Sequence, residues 1–349
     1  MLIRKSAGIV QPGRGDVHVN RPLTNISIAF LQNADNFVAR QVFPRISVSK
    51  QSDLYYTIPR GAFFRSQMKK RAPATESAGG NYEIGTDNYF AHVYAEHKDI
   101  ADQVRANYDQ PLDADRETTV FLTQQGLLLN EITFRENYFK DGQAPGDVWT
   151  WVADGAATVS GSLDFTDGAN NNLVYWNRPG STPIKDARRA LRTVHRNTGF
   201  RPNTLTLGRD VYDELVDHPD IIGRIDGGQT PGGPAMVTRQ NLAALFEVDR
   251  VLIMDGVENA AEEGLPDAFD FIGGKNVLLS YRPAAPGLMT PSAGYTFSWT
   301  GLLGSGADGL AISTMRMPTL KSDRHEIEMA FDMKRVSTDL GFFFNGIVE

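Results

Sequence analysis

The chain contains no cysteine, which excludes a disulfide framework, a thiolate metal site and a cysteine nucleophile. No stretch approaches the roughly 18 consecutive apolar residues that suggest a membrane-spanning helix. The opening MLIRKSAGIVQPGRG has a charged head with no apolar segment behind it, so it does not read as a secretory signal. These absences point to a protein made in the cytosol. Histidine is sparse, at six residues (His18, His92, His97, His195, His218, His325), with no H-E-x-x-H and no shared helical face. His92 and His97, five apart on a predicted strand, point to opposite sides and share no metal. A P-loop and a G-x-S-x-G elbow are also missing.

The motifs that do occur are weak. Gly304-Ser305-Gly306-Ala307-Asp308-Gly309 matches G-x-G-x-x-G, but the β-like Leu310–Met315 follows where a dinucleotide fold needs a helix. Asp164, Asp167, Asn170 and Asn171 miss the EF-hand spacing and have no closing glutamate; they read as a hairpin turn with exposed acids. Arg14-Gly15-Asp16 is a three-residue match of the kind chance supplies. No catalytic residue, cofactor-binding residue or metal ligand is assigned, and enzymatic activity is unsupported.

What is present is a folded-protein composition with a lopsided charge. The 349 residues are 41% hydrophobic and 22% charged, with ample length to bury a core. Residues 1–71 carry twelve Lys/Arg against Asp16, Asp35 and Asp53, in a chain whose net charge is −7. A basic head thus precedes an acidic body. Because the cations are scattered among apolar residues, the head of one copy is expected to lie on the body of another.

Leu112–Lys140 organises the rest. It contains no proline and reads as one helix of roughly 43 Å, with Asp113, Asp115 and Glu117 at its start and Arg135 and Lys140 at its end. Two apolar series (Val120, Leu127, Phe134, Tyr138 and Phe121, Leu128, Ile132, Phe139) predict its buried stripe. Glu131 and Arg135 are expected to pair at i,i+4, and Gly126 marks a bend or a close contact.

Before this helix, residues 1–50 read as an extended arm unable to close a core alone, with Ile26–Phe30 a possible helix and Phe37–Phe43 a possible strand. Leu54–Ile58 and Asn88–Tyr94 read as strands of a long hairpin whose end carries Lys69, Lys70 and Arg71; this basic tip is expected to contact another subunit.

After the helix, Thr182 as cap, Pro183 at the first turn and Gly199 at the stop frame a second helix. Ile184, Ala187, Leu191 and Val194 form its buried stripe, and Lys185, Arg188, Arg192 and Arg196 its solvated or intersubunit face. Strands at 203–208, 250–254 and 276–281 alternate with helices at 210–217 and 238–246, which suggests a small α/β unit. Gly227-Gly228-Gln229-Thr230-Pro231-Gly232-Gly233-Pro234 is a loop. Tyr295–Thr300 is β-like; Arg324–Val336 alternates with period two, as a half-buried strand does; Phe342-Phe343-Phe344 is a last strand.

This order of parts resembles the major capsid proteins of tailed bacteriophages, of the Hong Kong 97-type fold, an α+β architecture. Thr182–Leu191 followed by Gly199–Gly208, Leu215-Val216-Asp217-His218-Pro219 and Leu242–Val251 are similar to A-domain segments of that family. Val42-Phe43-Pro44 with Lys50-Gln51-Ser52-Asp53 resembles the entry to its E-loop. The resemblance implies an N-terminal arm at 1–50, an E-loop at 51–98, a P-domain with spine helix at 99–180, an A-domain at 181–319 and a returning P-domain strand at 320–349. It implies self-assembly through hexamers and pentamers into an icosahedral virion shell around double-stranded DNA, held without sequence specificity. Assembly would take place in the host cytoplasm, with portal, decoration and separate scaffolding proteins as partners and no membrane. Arg4, Lys5 and Arg14 with Lys69, Lys70 and Arg71 would make intersubunit contacts, and Gly227, Gly228, Gly232 and Gly233 would lie in an axial loop. An encapsulin nanocompartment, which shares the fold, is the alternative; an α/β enzyme is the reading from another class.

Overall fold

The computed structural model describes residues 31–107, 113–140, 148–158, 171–226, 237–287, 289–303 and 309–349. The strands are β1 (Arg45–Val48), β2 (Ser52–Thr57), β3 (Gly85–Phe90), β4 (His92–Ala101), β5 (Trp151–Ala156), β6 (Asn171–Val174), β7 (Thr204–Gly208), β8 (Arg250–Met254), β9 (Val257–Asn259), β10 (Phe269–Phe271), β11 (Val277–Ser280), β12 (Gly294–Trp299), β13 (Leu310–Met317), β14 (Ser322–Arg335) and β15 (Gly341–Asn345). The helices are α1 (Ala39–Val42), α2 (Asp102–Asn107), α3 (Ala114–Tyr138), α4 (Pro183–Thr198), α5 (Arg209–Val216), α6 (Pro219–Asp226), α7 (Arg239–Phe246) and α8 (Thr300–Leu303).

Helix α3 is the long helix of the sequence. The Asp113 carboxylate caps it by accepting from the Asp115 and Arg116 N–H groups at 3.0 and 3.3 Å, which satisfies two of the donors a helix start leaves open. Its buried side is broader than the stripe the apolar series predict: Phe134 and Phe139 are buried and Leu127, Leu128, Ile132 and Tyr138 pack half-buried on the same core, but Ala114, Thr118, Leu122, Gly126 and Asn130 are buried too, and Phe121 is exposed. Small and polar residues can line this stripe because the sheet comes close and the helix satisfies them. A Cβ on Gly126 would stand 2.9 Å from Met329 Sδ and 3.2 Å from Ile327 Cδ1, and Asn130 Nδ2 donates to the Gly126 carbonyl at 3.0 Å.

The surface under α3 is built around β14, which pairs antiparallel with β4, β12 and β13, while β1 adds parallel to β12. Ile327, Met329, Phe331 and Met333 are buried and alternate with half-buried Glu326, Glu328, Asp332 and Lys334, as period two requires.

A second, six-stranded sheet runs β6-β5-β15-β11-β7-β8. Both of its faces are covered. Phe342 and Phe344 join a core with α4, α5, α6 and α7, whereas Phe343 joins Phe134, Phe139 and Trp149 on the other side, since successive strand residues face opposite ways. Strand β5 pairs parallel with both β15 and β6, so the strands around residues 164–171 do not form the hairpin expected there. Asp164, Asp167 and Asn170, and most of Gly304–Gly309, lie outside the described residues.

Two further expectations are corrected. Phe37–Phe43 is not a strand of a loose arm: α1 starts at Ala39, and Phe37, Val38, Ala39, Val42 and Phe43 are buried in the chain's own core. Glu131 does not pair with Arg135. Its fully buried carboxylate accepts from the Val38 and Ala39 N–H groups at 3.1 and 2.9 Å, and Arg135 bonds Glu258 and Glu136 instead. Two orphan N–H donors at the start of α1 are the stronger claim on a buried carboxylate.

Candidate assembly interface

The feature that the core does not account for is the ribbon of β2 and β3 and the loop it carries. The ribbon's base is fixed. Tyr89 stacks on Phe297 at 4.5 Å between ring centroids, and Tyr55 stacks on the same Phe297 ring at 5.5 Å. Tyr55 Oη donates to Asp87 Oδ2 at 2.6 Å; burial, then this bond, raises the Tyr55 pKa well above the usual phenol range, and the same bond holds Asp87 below the usual carboxylate range. The Phe90 N–H donates to Asp332 Oδ2 at 2.9 Å. Gln51 and Ala91 exchange two bonds at 2.8 and 3.2 Å where the chain passes from β3 to β4.

Beyond this base the loop is uncovered. Phe63, Phe64, Tyr82 and Ile84 are each about half exposed and Met68 is 92% exposed. Five large apolar side chains in one loop are unusual for a surface that stays in water. On the near side, Arg60 pairs with Asp339 at 2.8 Å. The Phe64 ring lies over Gly199, whose φ of +75° ends α4 and where a Cβ would stand 2.9 Å from the ring. Lys69, Lys70 and Arg71 are exposed; Arg71 donates to the Thr75 carbonyl, and Lys69 and Lys70 form no ion pair with a described residue. Sequence reasoning found the basic tip but not the apolar side chains around it, because alternation is lost in an irregular loop. Arg4, Lys5, Arg14, Gly227, Gly228, Gly232 and Gly233 lie outside the described residues.

An open groove of about 520 Å³ between α3 and β4 is lined mainly by apolar groups, Leu128, Ile132 and Tyr94 among them, with Glu96 and Gln125. The Ser181 hydroxyl lies 2.9 Å from His218 Nε2, but the pair is buried and committed. His218 Nδ1 accepts from the Asp220 N–H and Ser181 bonds the Trp176 and Arg178 carbonyls, so it staples a turn to the start of α6. Among the described residues no cluster of three metal-ligating side chains occurs, and no helix is long and apolar enough to cross a membrane.

No protein-family model matches the chain. The major capsid protein of Burkholderia phage BcepMu is 33% identical over 125 residues, 34% of this chain and 37% of that protein, so the match spans little more than a third of the relative. Among solved structures, a phage-related protein from Bordetella bronchiseptica RB50 superposes with a TM-score of 0.61 at 18% identity, over 89% of this chain and 92% of that one. The mature capsid of bacteriophage PhiM1 gives 0.54 at 13% identity over 92% and 89%. The SrpI encapsulin of Synechococcus elongatus PCC 7942 gives 0.52 at 13% identity over 94% of each chain. Superposition on the PhiM1 capsid and the SrpI encapsulin over more than nine-tenths of the chain, with a spine helix laid on a β-sheet, a protruding ribbon and a second sheet covered on both faces, leads to one conclusion: this chain has the α+β Hong Kong 97-type fold, and over about a third of its length it is similar in sequence to a phage major capsid protein.

Proposed function

We propose that the chain is a structural major capsid protein that assembles through hexamers and pentamers into an icosahedral phage head enclosing double-stranded DNA. The observation that carries this reading is the loop between β2 and β3, which exposes five large apolar side chains and a lysine-rich tip on a fold shared with shell proteins. A ribbon of two strands is marginal in water by itself; a neighbouring subunit supplies the missing surface. In this reading residues 1–50 supply the arm, 51–98 the extended loop, 99–180 and 320–349 the peripheral domain and 181–319 the axial domain, although the packing crosses these bounds: α1 sits in the core, β5, β6 and β15 complete the sheet of β7, β8 and β11, and β12 and β13 flank β14. Arg4, Lys5 and Arg14 meet a neighbour, and the glycine-rich loop at 227–233 lies near the local symmetry axis. Portal, scaffolding and decoration proteins of the same phage are the further partners, and no catalytic step is assigned.

The test is the triple replacement of Lys69, Lys70 and Arg71 by glutamate. These residues are exposed, so monomer melting should be unchanged while particles are lost. Undiminished particle yield would remove the tip from the interface. The likeness to an encapsulin supports a second reading, a protein-filled compartment. Nuclease-protected double-stranded DNA inside purified native particles favours the phage head, and a protein cargo without DNA favours the compartment.

A further inference from the structure

Helix α4 has an exposed side made of one histidine and five Lys or Arg residues. Of its sixteen residues six are exposed, and these are Lys185, Arg188, Arg189, Arg192, His195 and Arg196. In a chain of net charge −7 such a face is a concentrated patch. Arg188 and Arg189 are partly offset by Glu247 and Asp186, but Arg192 and Arg196 form no ion pair with a described residue. The opposite charge is equally concentrated elsewhere. The turn joining β9 to β10 and β10 itself are exposed from Glu262 through to Phe271, and this stretch carries Glu262, Glu263, Asp267 and Asp270 with no cation. Its shape is fixed by the Asn259 side chain, which donates to Asp267 at 2.8 Å and accepts from the Ala268 N–H at 2.9 Å. Leu265 and Phe269 project from it, 61% and 70% exposed.

The two patches sit on opposite sides of the six-stranded sheet. The buried stripe of α4 packs with Phe342 and Phe344, whereas Ile272, at the root of the acidic ribbon, packs with Phe37 and Phe343. Among the described residues no ion pair joins the two patches within one chain, and both are exposed, so each is open to a neighbouring copy. A contact between two different patches of identical chains is heterologous, and when its rotation closes it produces a ring. From this charge match and placement we infer that the acidic β9–β10 ribbon of each subunit docks on the basic face of α4 of the next and so closes the capsomer ring. The inference rests on the shell-protein reading and adds to it a named contact. Charge across the seam fixes register and speeds encounter, and Leu265 and Phe269 give it the apolar centre that a stable interface has. A phosphate backbone would also suit the cations, but it would leave the acidic ribbon and its two apolar side chains unexplained.

The experiment is a charge swap in the full chain. Arg192→Glu with Arg196→Glu, and separately Glu262→Lys with Glu263→Lys, should each lower the yield of rings and shells at least about tenfold at 0.1 M salt. The four changes combined in one chain should restore it. All four positions are exposed, so melting of the unassembled chain should hold; if the glutamate pair melts early, Arg192→Gln with Arg196→Gln and a salt titration replaces it. Particles that tolerate both single-sided reversals, or a combined variant that stays unassembled, would overturn the contact while leaving the shell reading intact. Reversal at α4 that abolishes duplex-DNA binding but not assembly would overturn it too, in favour of a nucleic-acid face. A wild-type chain that never assembles, even beside its phage partners, would instead remove the shell reading on which the contact rests.

Discussion

Replacing Glu131 with glutamine keeps the side chain's shape and takes away one of the two oxygens that hold residues 38 and 39. In the wild type, Oε1 accepts from the Val38 N–H at 3.1 Å and Oε2 from the Ala39 N–H at 2.9 Å, with no exposure to water. Glutamine offers one acceptor and turns an NH₂ toward the second N–H, leaving a buried donor unsatisfied at a cost of about 1–3 kcal/mol. The pH dependence distinguishes this mechanism from simple repacking. Burial pushes the Glu131 carboxyl up from 4.5 to about 7, against the pull of the two N–H donors. A group whose folded pKa is raised contributes stability that is complete below the unfolded value, near 4.5, and lost as the pH rises through about 7. At roughly 1.4 kcal/mol per unit, that loss is about 3 kcal/mol. At pH 5 the folded wild type holds the neutral acid, whose hydroxyl oxygen still accepts the second N–H; glutamine does not titrate and has no such acceptor, so wild type should exceed Glu131→Gln by about 1–3 kcal/mol there, and the gap should close by pH 8.5. Urea denaturation of the unassembled proteins at both pH values reads the difference, because all other titrating groups cancel between them. A gap that stays constant or widens with pH would refute the reasoning, showing that the ionised form is the one the fold prefers.

Other perturbations test the packing. Phe343→Ala, at a fully buried ring packed with Phe139 and Trp149, should cost about 3–5 kcal/mol in denaturant melts. Gly126→Val inserts a branched side chain where a Cβ already stands within 3.3 Å of three side chains, and should lower stability by about 1–3 kcal/mol despite the better helix former. Burial lowers the pKa of His218 below 6.5; stability from its neutral form is complete above pH 6.5 and declines as pH falls. His218→Gln should flatten that acid limb of the stability profile.

Much of the fold could be read locally. The alternation in Arg324–Val336 specified a half-buried strand, and Pro183 with Gly199 framed α4 closely, although Thr182 makes no capping bond to the helix backbone. Local pattern did not say which strands meet. Phe342–Phe344 reads as a strand, but nothing nearby in sequence places it between β5 and β11, residues about 190 and 65 positions away. The apolar series on α3 locate most of its core side, but not Thr118, Gly126 and Asn130, which carry little apolar signal and are buried because β14 comes close, a tertiary fact. The seat of α1 depends on a carboxylate 92 residues away, and no period reveals such a bond. The candidate interface was half visible: the lysines announced themselves as a charge cluster, whereas Phe63, Phe64 and Met68 gained meaning only once they were seen to be uncovered.

The central claim is that this fold builds a closed shell, and the most direct measurement is negative-stain electron microscopy of the recombinant protein with light scattering for particle mass, alone and co-expressed with the neighbouring phage genes. Closed icosahedral particles, or rings of five and six subunits, are the expected result. A homogeneous monomer or dimer under every salt condition and with every partner would contradict it.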